Sequence, residues 1–381
     1  MPVRKLLRRE YRALDGAAPQ LFDLLLDRGA SECWHKHGSF FDHLRNTWAI
    51  LHAWGQDTAL TRAGLFHSAF SNSYVNLRIF EPDTQGRLHM AVAIGPQAEA
   101  LVWFLCEIDR HHSVVERLAE PVRRAEDPLE VRVPPEGIKL RAARGDEEIL
   151  ASPLDLSRLL IFTLADIAEQ HHSWQDEITE NTYFQGQSQT KHAPWAPWPG
   201  ASKPGLWMSF ASRVAVATHC CLSSTVDEEG VQRPPVFDEC TSLLHEEDER
   251  TARDMYWEVA ASTAPKDLET RKQRATAVKK LKLCSLKNPH IGEPHALRAQ
   301  LLLAGTGEDS EAVSFEEAEE AATKALEIFC AWGTPWDKRV PFEGWIAWTR
   351  VLHQMAREKT PWPEDAWRVI NFGIVDSVQN T

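Results

Sequence analysis

A chain of 381 residues, 43% hydrophobic and 25% charged, is long enough for two domains and has the composition of a soluble globular protein. Its formal charge of −13 argues against nucleic acid as a main partner, because binding a phosphate backbone needs a positive field. No run approaches the ~20 apolar residues of a membrane-spanning helix, which argues against a membrane partner.

Met1 to Arg9 is basic, but no long apolar stretch follows, so a secretory signal is not expected. Glu10, Asp15 and Asp23 come early for an organelle import sequence. The expected location is the cytoplasm, with organelle import left open. Seven scattered cysteines, an odd number, read as free thiols rather than a disulfide framework.

Residues 1–29 read as helical, since Leu7, Leu14, Leu21 and Leu25 recur at about helical spacing, with Gly16 and Pro19 dividing the stretch. A short polar segment holding Cys33, Trp34, His35 and His37 follows. Ser39 to Trp54 is expected as a helix stopped by Gly55, and Asp57 opens another that runs through Phe70. Tyr74 to Leu77 looks extended, and Pro82-Asp83 with Gly86 reads as a turn. Pro96 fits the first turn of a helix reaching about Arg110. Residues 120–150, charged and proline-containing, read as a surface insertion. Pro153 and Asp155 then start a strongly apolar helix, Leu156 to His172. The tract Tyr183 to Pro204, rich in proline and tryptophan, reads as a lid or as a buried connection between domains. From about 207 the pattern is helical again. Residues 226–251 are acidic and polar, and Arg253 to Cys330 read as helical pairs. Ala318, Ala321, Ala322 and Ala325 stand at close-packing positions, and Trp345 and Trp348 share one helix face, as core or as the lining of a groove.

Two histidines and an aspartate, His43, His67 and Asp166, belong to the segments that carry a family resemblance. The two histidines are 24 residues apart on what read as successive helices. Asp166 lies in Thr163-Leu164-Ala165-Asp166-Ile167-Ala168-Glu169-Gln170. Imidazoles and a carboxylate brought from separate helices can hold a divalent ion, which lowers the pKa of bound water. A lone aspartate in an apolar helix could instead pair with a neighbour, and Arg62 and Arg158 are available.

Gly38-Ser39-Phe40-Phe41-Asp42-His43, Leu65-Phe66-His67 and the Leu-Ala-Asp helix together resemble the HD superfamily of metal-dependent phosphohydrolases. They resemble in particular the branch that hydrolyses the guanosine alarmones of the stringent response. The resemblance implies that His43, His67 and Asp166 bind a divalent metal, with Mn, Fe or Zn as candidates. It also exposes departures. Where that branch has an aspartate after the second histidine and an acidic pair one turn later, this chain has Ser68, Ser71 and Asn72. A neutral hydroxyl is a poor ligand for a divalent ion, and neither Ser71 nor Asn72 can act as a base near neutral pH. Ser68, Ser71, Asn72, Gln170, His35 and His37 are expected to line the pocket. Asp109, His111, His112, His171 and His172 are further donors, which would bring the site closer to the histidine-rich di-iron oxygenases of the same superfamily.

In the C-terminal half, Leu283 to Pro289 and then Glu293-Pro294-His295-Ala296 resemble the junction between two tetratricopeptide repeats. The segments Trp198-Pro199-Gly200, Lys203-Pro204-Gly205-Leu206-Trp207, Trp336-Asp337-Lys338-Arg339 and Glu343-Gly344-Trp345 resemble a family of plants, algae and some bacteria. That family joins a degenerate HD-like domain to a repeat-like half, which implies an architecture but no reaction. The expected fold is therefore all-α: an HD-like helical bundle over residues 1–220, then a tetratricopeptide-like helical domain over residues 221–381. The functional expectation is a metal-assisted hydrolase of a small phosphorylated or nucleotide-like molecule. The alternatives are a non-catalytic ligand sensor or protein-interaction scaffold, with a protein or peptide partner on the C-terminal helices, and an iron-dependent oxygenase.

Overall fold

The computed structural model describes residues 2–35, 38–71, 78–171, 203–225, 231–262, 271–304 and 314–362, and it is all-α. Among these residues the only sheets are two antiparallel hairpins. One pairs β1 (Trp34–His35) with β2 (Gly38–Ser39), the other β3 (Ile138–Arg141) with β4 (Glu148–Ala151). No described helix is long and apolar enough to cross a membrane. Of the described residues, those up to His171 and Trp207–Leu243 form one compact unit. Residues 203–206 and those from Leu244 onward form a second, so the expected boundary at 220 falls inside the first unit.

Local side-chain capping sets where the helices of the first unit begin. After α1 (Pro2–Leu7) and α2 (Ala18–Asp27), Ser39 starts α3 (Phe40–Ala53) with a capping box. Its hydroxyl accepts the Asp42 N–H at 3.2 Å while the Asp42 carboxylate accepts the Ser39 N–H at 3.3 Å. Gly55, at φ +69, takes the left-handed conformation that ends the helical run. Asp57 caps α4 (Thr58–Phe66), accepting the Leu60 N–H at 2.7 Å. This helix stops four residues short of the expected Phe70, which instead bridges to Arg78. Asp83, expected in a turn, is the N-cap of α5 (Thr84–Ile94) and accepts the Gly86 N–H at 2.7 Å. Pro96 occupies the first turn of α6 (Pro96–Glu107).

Residues 120–150 are not a simple surface insertion. A π-helix, His111–Ala119, runs into α7 (Glu120–Arg124), and the β3–β4 hairpin follows. Val122, Val133, Leu140 and Ala151 are all buried. Val122, Val133 and Leu140 each adjoin a basic residue, which hides the apolar pattern from a reading of the sequence. A second capping box, Ser152 with Asp155, starts α8 (Pro153–Gln170). Its residues from Leu159 to Ala168 are all buried, as befits a helix that is apolar on every side. Helix α8 packs against α3, α4 and α9 (Met208–Ser223).

The turn Phe237–Cys240 carries four consecutive non-glycine residues at φ between 50 and 68. Phe237 and Cys240 are buried and anchor it, whereas Asp238 and Glu239 are exposed. Left-handed backbone costs a residue with a Cβ about 1–2 kcal/mol. Glu239→Gly is expected to stabilise the protein by about 1 kcal/mol, less some added freedom of the unfolded chain, read as a higher urea midpoint.

The second unit is a succession of helices, each packed on the next: α10 (Glu246–Ser262), α11 (Arg271–Lys287), α12 (Glu293–Leu303), α13 (Phe315–Trp332) and α14 (Phe342–Arg357). The acidic stretch ending at residue 251 is in part helix, because Glu246 to Glu249 form the first turn of α10, where negative charge suits the dipole. The alanines at 318, 321, 322 and 325 are fully buried, letting α13 approach its neighbours. Trp345 and Trp348 stack with ring centroids 5.3 Å apart, and Trp345 is core, its indole N–H donating to the Asp337 carbonyl at 3.0 Å.

A polar knot lies within this apolar unit. Buried Glu293 accepts the N–H groups of Trp336 and Asp337 on Oε1 at 2.7 and 2.9 Å, while Oε2 has no hydrogen-bond partner among the described residues. The neighbouring Asp337 carboxylate accepts the Tyr256 hydroxyl at 2.7 Å and pairs with Arg339. Burial, helped by the charge of Asp337, pushes the Glu293 carboxyl up to about 7. Below pH 4.5 this group is neutral in both folded and unfolded chains. Between pH 4.5 and 7 unfolding releases its proton, so stability falls as pH rises through that window and levels off above it. The stability of Glu293→Gln relative to the parent protein is expected to rise by an amount on the order of 3 kcal/mol across this window, measured by denaturant unfolding at each pH.

Candidate metal centre

His43, His67 and Asp166 each come from a different helix of the first unit and meet in its interior. His43 sits in the first turn of α3, just past the capping box, so the cap that starts the helix also fixes its height. His67 is the C-cap of α4. Asp166 lies near the C-terminal end of α8, just after the apolar run Leu159 to Phe162 and Leu164-Ala165. All three are at most 4% exposed. The helices come together closely enough that a Cβ on Gly64 would fall 2.3 Å from Cδ1 of Leu51, a buried methyl that would have to move to make room.

The three side chains can hold a metal ion. His43 Nε2 is 3.2 Å from His67 Nε2, Asp166 Oδ1 is 3.4 Å from the first and 3.9 Å from the second. The point equidistant from three atoms so separated lies about 2 Å from each, the length of a Zn–N or Zn–O bond. The outer nitrogens are held as metal-binding histidines require. His67 Nδ1 donates to the Gly64 carbonyl at 2.8 Å, and His43 Nδ1 lies 2.5 Å from Glu169 Oε2. Both Nε2 lone pairs therefore turn inward. Two imidazoles and one carboxylate suit Zn, Fe(II) or Mn and leave coordination positions open.

Three lone pairs converging in a buried space repel one another unless a cation or proton lies among them. Burial and the surrounding charges shift the titration of all three groups. Burial disfavours a charged His43, but the carboxylates of Glu169 and Asp166 outweigh it and hold its pKa above the usual value. Burial, with the charge of neighbouring His43 and Arg110 adding to it, pushes His67 down to about 3. Asp166 stays ionised although burial opposes it, because Arg110 and the two histidines keep its pKa far below the carboxylate range.

The sequence points to the three ligands but not to their partners. Asp166 is bound by Arg110, whose Nη2 is 2.8 Å from Oδ2, and not by Arg62 or Arg158. Those two pair with Asp15 and Asp57 instead. Glu169 is the second residue missed. It stands one turn after Asp166, on the same face of α8, a spacing that could have revealed it. Of the expected pocket residues, Gln170 donates to Asp166 Oδ1 at 2.9 Å, and the His35 ring lies 4.3 Å from that of His43. Ser68 and Ser71 are buried beyond the end of α4, with Ser71 at φ +67. His37 and Asn72 lie outside the described residues, as do His172 and the tract from 183 to 202. The other candidate donors have partners of their own: Asp109 accepts from Arg141 at 3.0 Å, and His112 meets Glu116 at 2.8 Å.

A family model described as a domain of unknown function, DUF6817, matches residues 24–110. The matched stretch contains His43 and His67 and ends on Arg110, but it stops before Asp166 and Glu169. No curated protein and no solved structure matches the chain.

The close contact at Gly64 provides a test of this construction. Gly64→Ala is expected to force the buried Leu51 side chain into another position and to cost about 1–3 kcal/mol of stability, measured by thermal or urea unfolding.

Proposed function

We propose that the first unit is a divergent HD-type domain in which His43, His67 and Asp166 hold one divalent ion, Mn, Fe or Zn. We further propose that it acts as a metal-assisted hydrolase on a small phosphorylated or nucleotide-like molecule. The observation that carries the first part is the convergence of two Nε2 atoms and one carboxylate oxygen, their outer atoms held by Gly64, Glu169 and Arg110. A metal so held supplies hydroxide near neutral pH. The substrate class rests on the resemblance to the alarmone hydrolases. This chain's own residues orient the ligands rather than act as a separate base, since Ser68 and Ser71 cannot take up a proton and Glu169 is committed to His43 and Asn46.

One observation favours a second reading. Arg110 already balances the Asp166 charge, so the pocket is electrostatically sound without an ion. A pocket of that kind suits a non-catalytic ligand sensor or scaffold, with a protein or peptide partner on the helices of the second unit. The donor set is also that of non-haem iron oxygenases, so the identity of the metal separates the enzymatic readings.

The test is elemental analysis of protein purified without chelator, alongside His43→Ala and His67→Ala. About one equivalent of metal in the parent protein, lost in both variants, is the expected result. Zinc or manganese supports the hydrolase and iron the oxygenase. Absence of metal after reconstitution supports the sensor.

A further inference from the structure

We infer that the metal centre is tuned from outside by two residues of opposite charge, Glu169 strengthening His43 as a donor and Arg110 weakening Asp166. The inference deepens the metal-binding reading and rests on it.

Glu169 reaches His43 from one helical turn beyond Asp166, and its side chain is only 12% exposed. Its second oxygen accepts from Asn46, which stands one turn beyond His43 on α3. The carboxylate is thus fixed from both helices that supply those ligands. A carboxylate on the outer nitrogen of an imidazole fixes the tautomer, aims Nε2 inward and makes it a better electron-pair donor.

Arg110 acts on the other side with the opposite sign. It is 5% exposed, and its guanidinium lies 4.9 Å from the centre of the Phe162 ring, which keeps it in place beside the carboxylate. Asp166 is thereby divided, Oδ2 engaged by Arg110 and Oδ1 turned toward the histidines and Gln170. A fixed positive charge so close repels a divalent ion and draws electron density from the oxygen that would bind it. Glu169 and Arg110 are positioning residues. Neither supplies one of the three converging donor atoms.

The two signs make the inference testable with the full-length protein, using Zn(II) and Co(II) as probes in competition with a chromophoric chelator. Glu169→Gln keeps a hydrogen-bond acceptor and removes the charge, and is expected to weaken binding roughly 10–100-fold. Arg110→Gln is expected to tighten it roughly tenfold. Arg110→Lys, which keeps the charge, should bind like the parent. The visible absorption of bound Co(II) should keep its shape in all of them, because the ligand set is unchanged. Helical circular dichroism checks folding, and Arg110→Met, which fills the same space over Phe162, replaces the glutamine variant if that one does not fold. Weaker binding on removal of Arg110, or unaltered binding on removal of either charge, overturns the inference while leaving the metal site standing. If neither the parent nor any variant binds metal, the metal-binding reading fails and the inference falls with it.

Discussion

An ionised carboxylate cannot remain in the apolar interior of a helical unit without partners, and Asp166 is such a carboxylate. Everything around it answers that requirement. Arg110 binds one oxygen, Gln170 and the two histidines face the other, and Glu169 steadies the nearer histidine. Replacing the cluster by hydrocarbon would satisfy the packing of α8 equally well. A buried cluster of this kind adds little stability over a hydrocarbon core, which is the physical ground for proposing that it holds an ion.

The framework that brings these groups together is assembled from local rules. Ser39, Asp57 and Ser152 set the starts of α3, α4 and α8, and those starts determine which residue of each helix faces inward. Gly64 then allows α4 to lie close enough to α3 for the two imidazoles to come within 3.2 Å. Shifting any of these helices by one residue would rotate its ligand by about 100° and remove it from the cluster. The match to a domain of unknown function spans the first two ligands and Arg110 but not the third, so the cluster joins that stretch to a helix well beyond it.

How much of this could be read in the sequence depends on whether the signal was local. Caps, glycine stops and the apolar period of α8 are properties of a few neighbouring residues, and they gave the helices to within a few positions. The three candidate donors are legible as residue types in a set order, and in the structure they meet as a group that could hold a metal ion. The partner of Asp166 is not legible, since pairing across the fold depends on packing: the sequence offers Arg62 and Arg158, which Asp15 and Asp57 hold, and it is Arg110 that reaches the carboxylate. Asp83 differs from the expectation because an aspartate after a proline and three residues ahead of a glycine serves a turn and a helix cap equally well. The β3–β4 hairpin was missed because Leu140 is a single buried residue among charges.

The placement of the three ligands on three helices has a mechanical consequence. An ion held there as proposed would grip α3, α4 and α8 at once, tie together points far apart along the chain and shut two long loops of polypeptide with one centre. Cross-links of that kind remove freedom from the unfolded chain, and because a preformed cage does not survive unfolding, the energy of gripping the ion becomes energy of folding. The first unit would then have no single intrinsic stability. Its resistance to heat, proteases and turnover would follow the supply of free metal around it, making the fold itself a gauge of that supply.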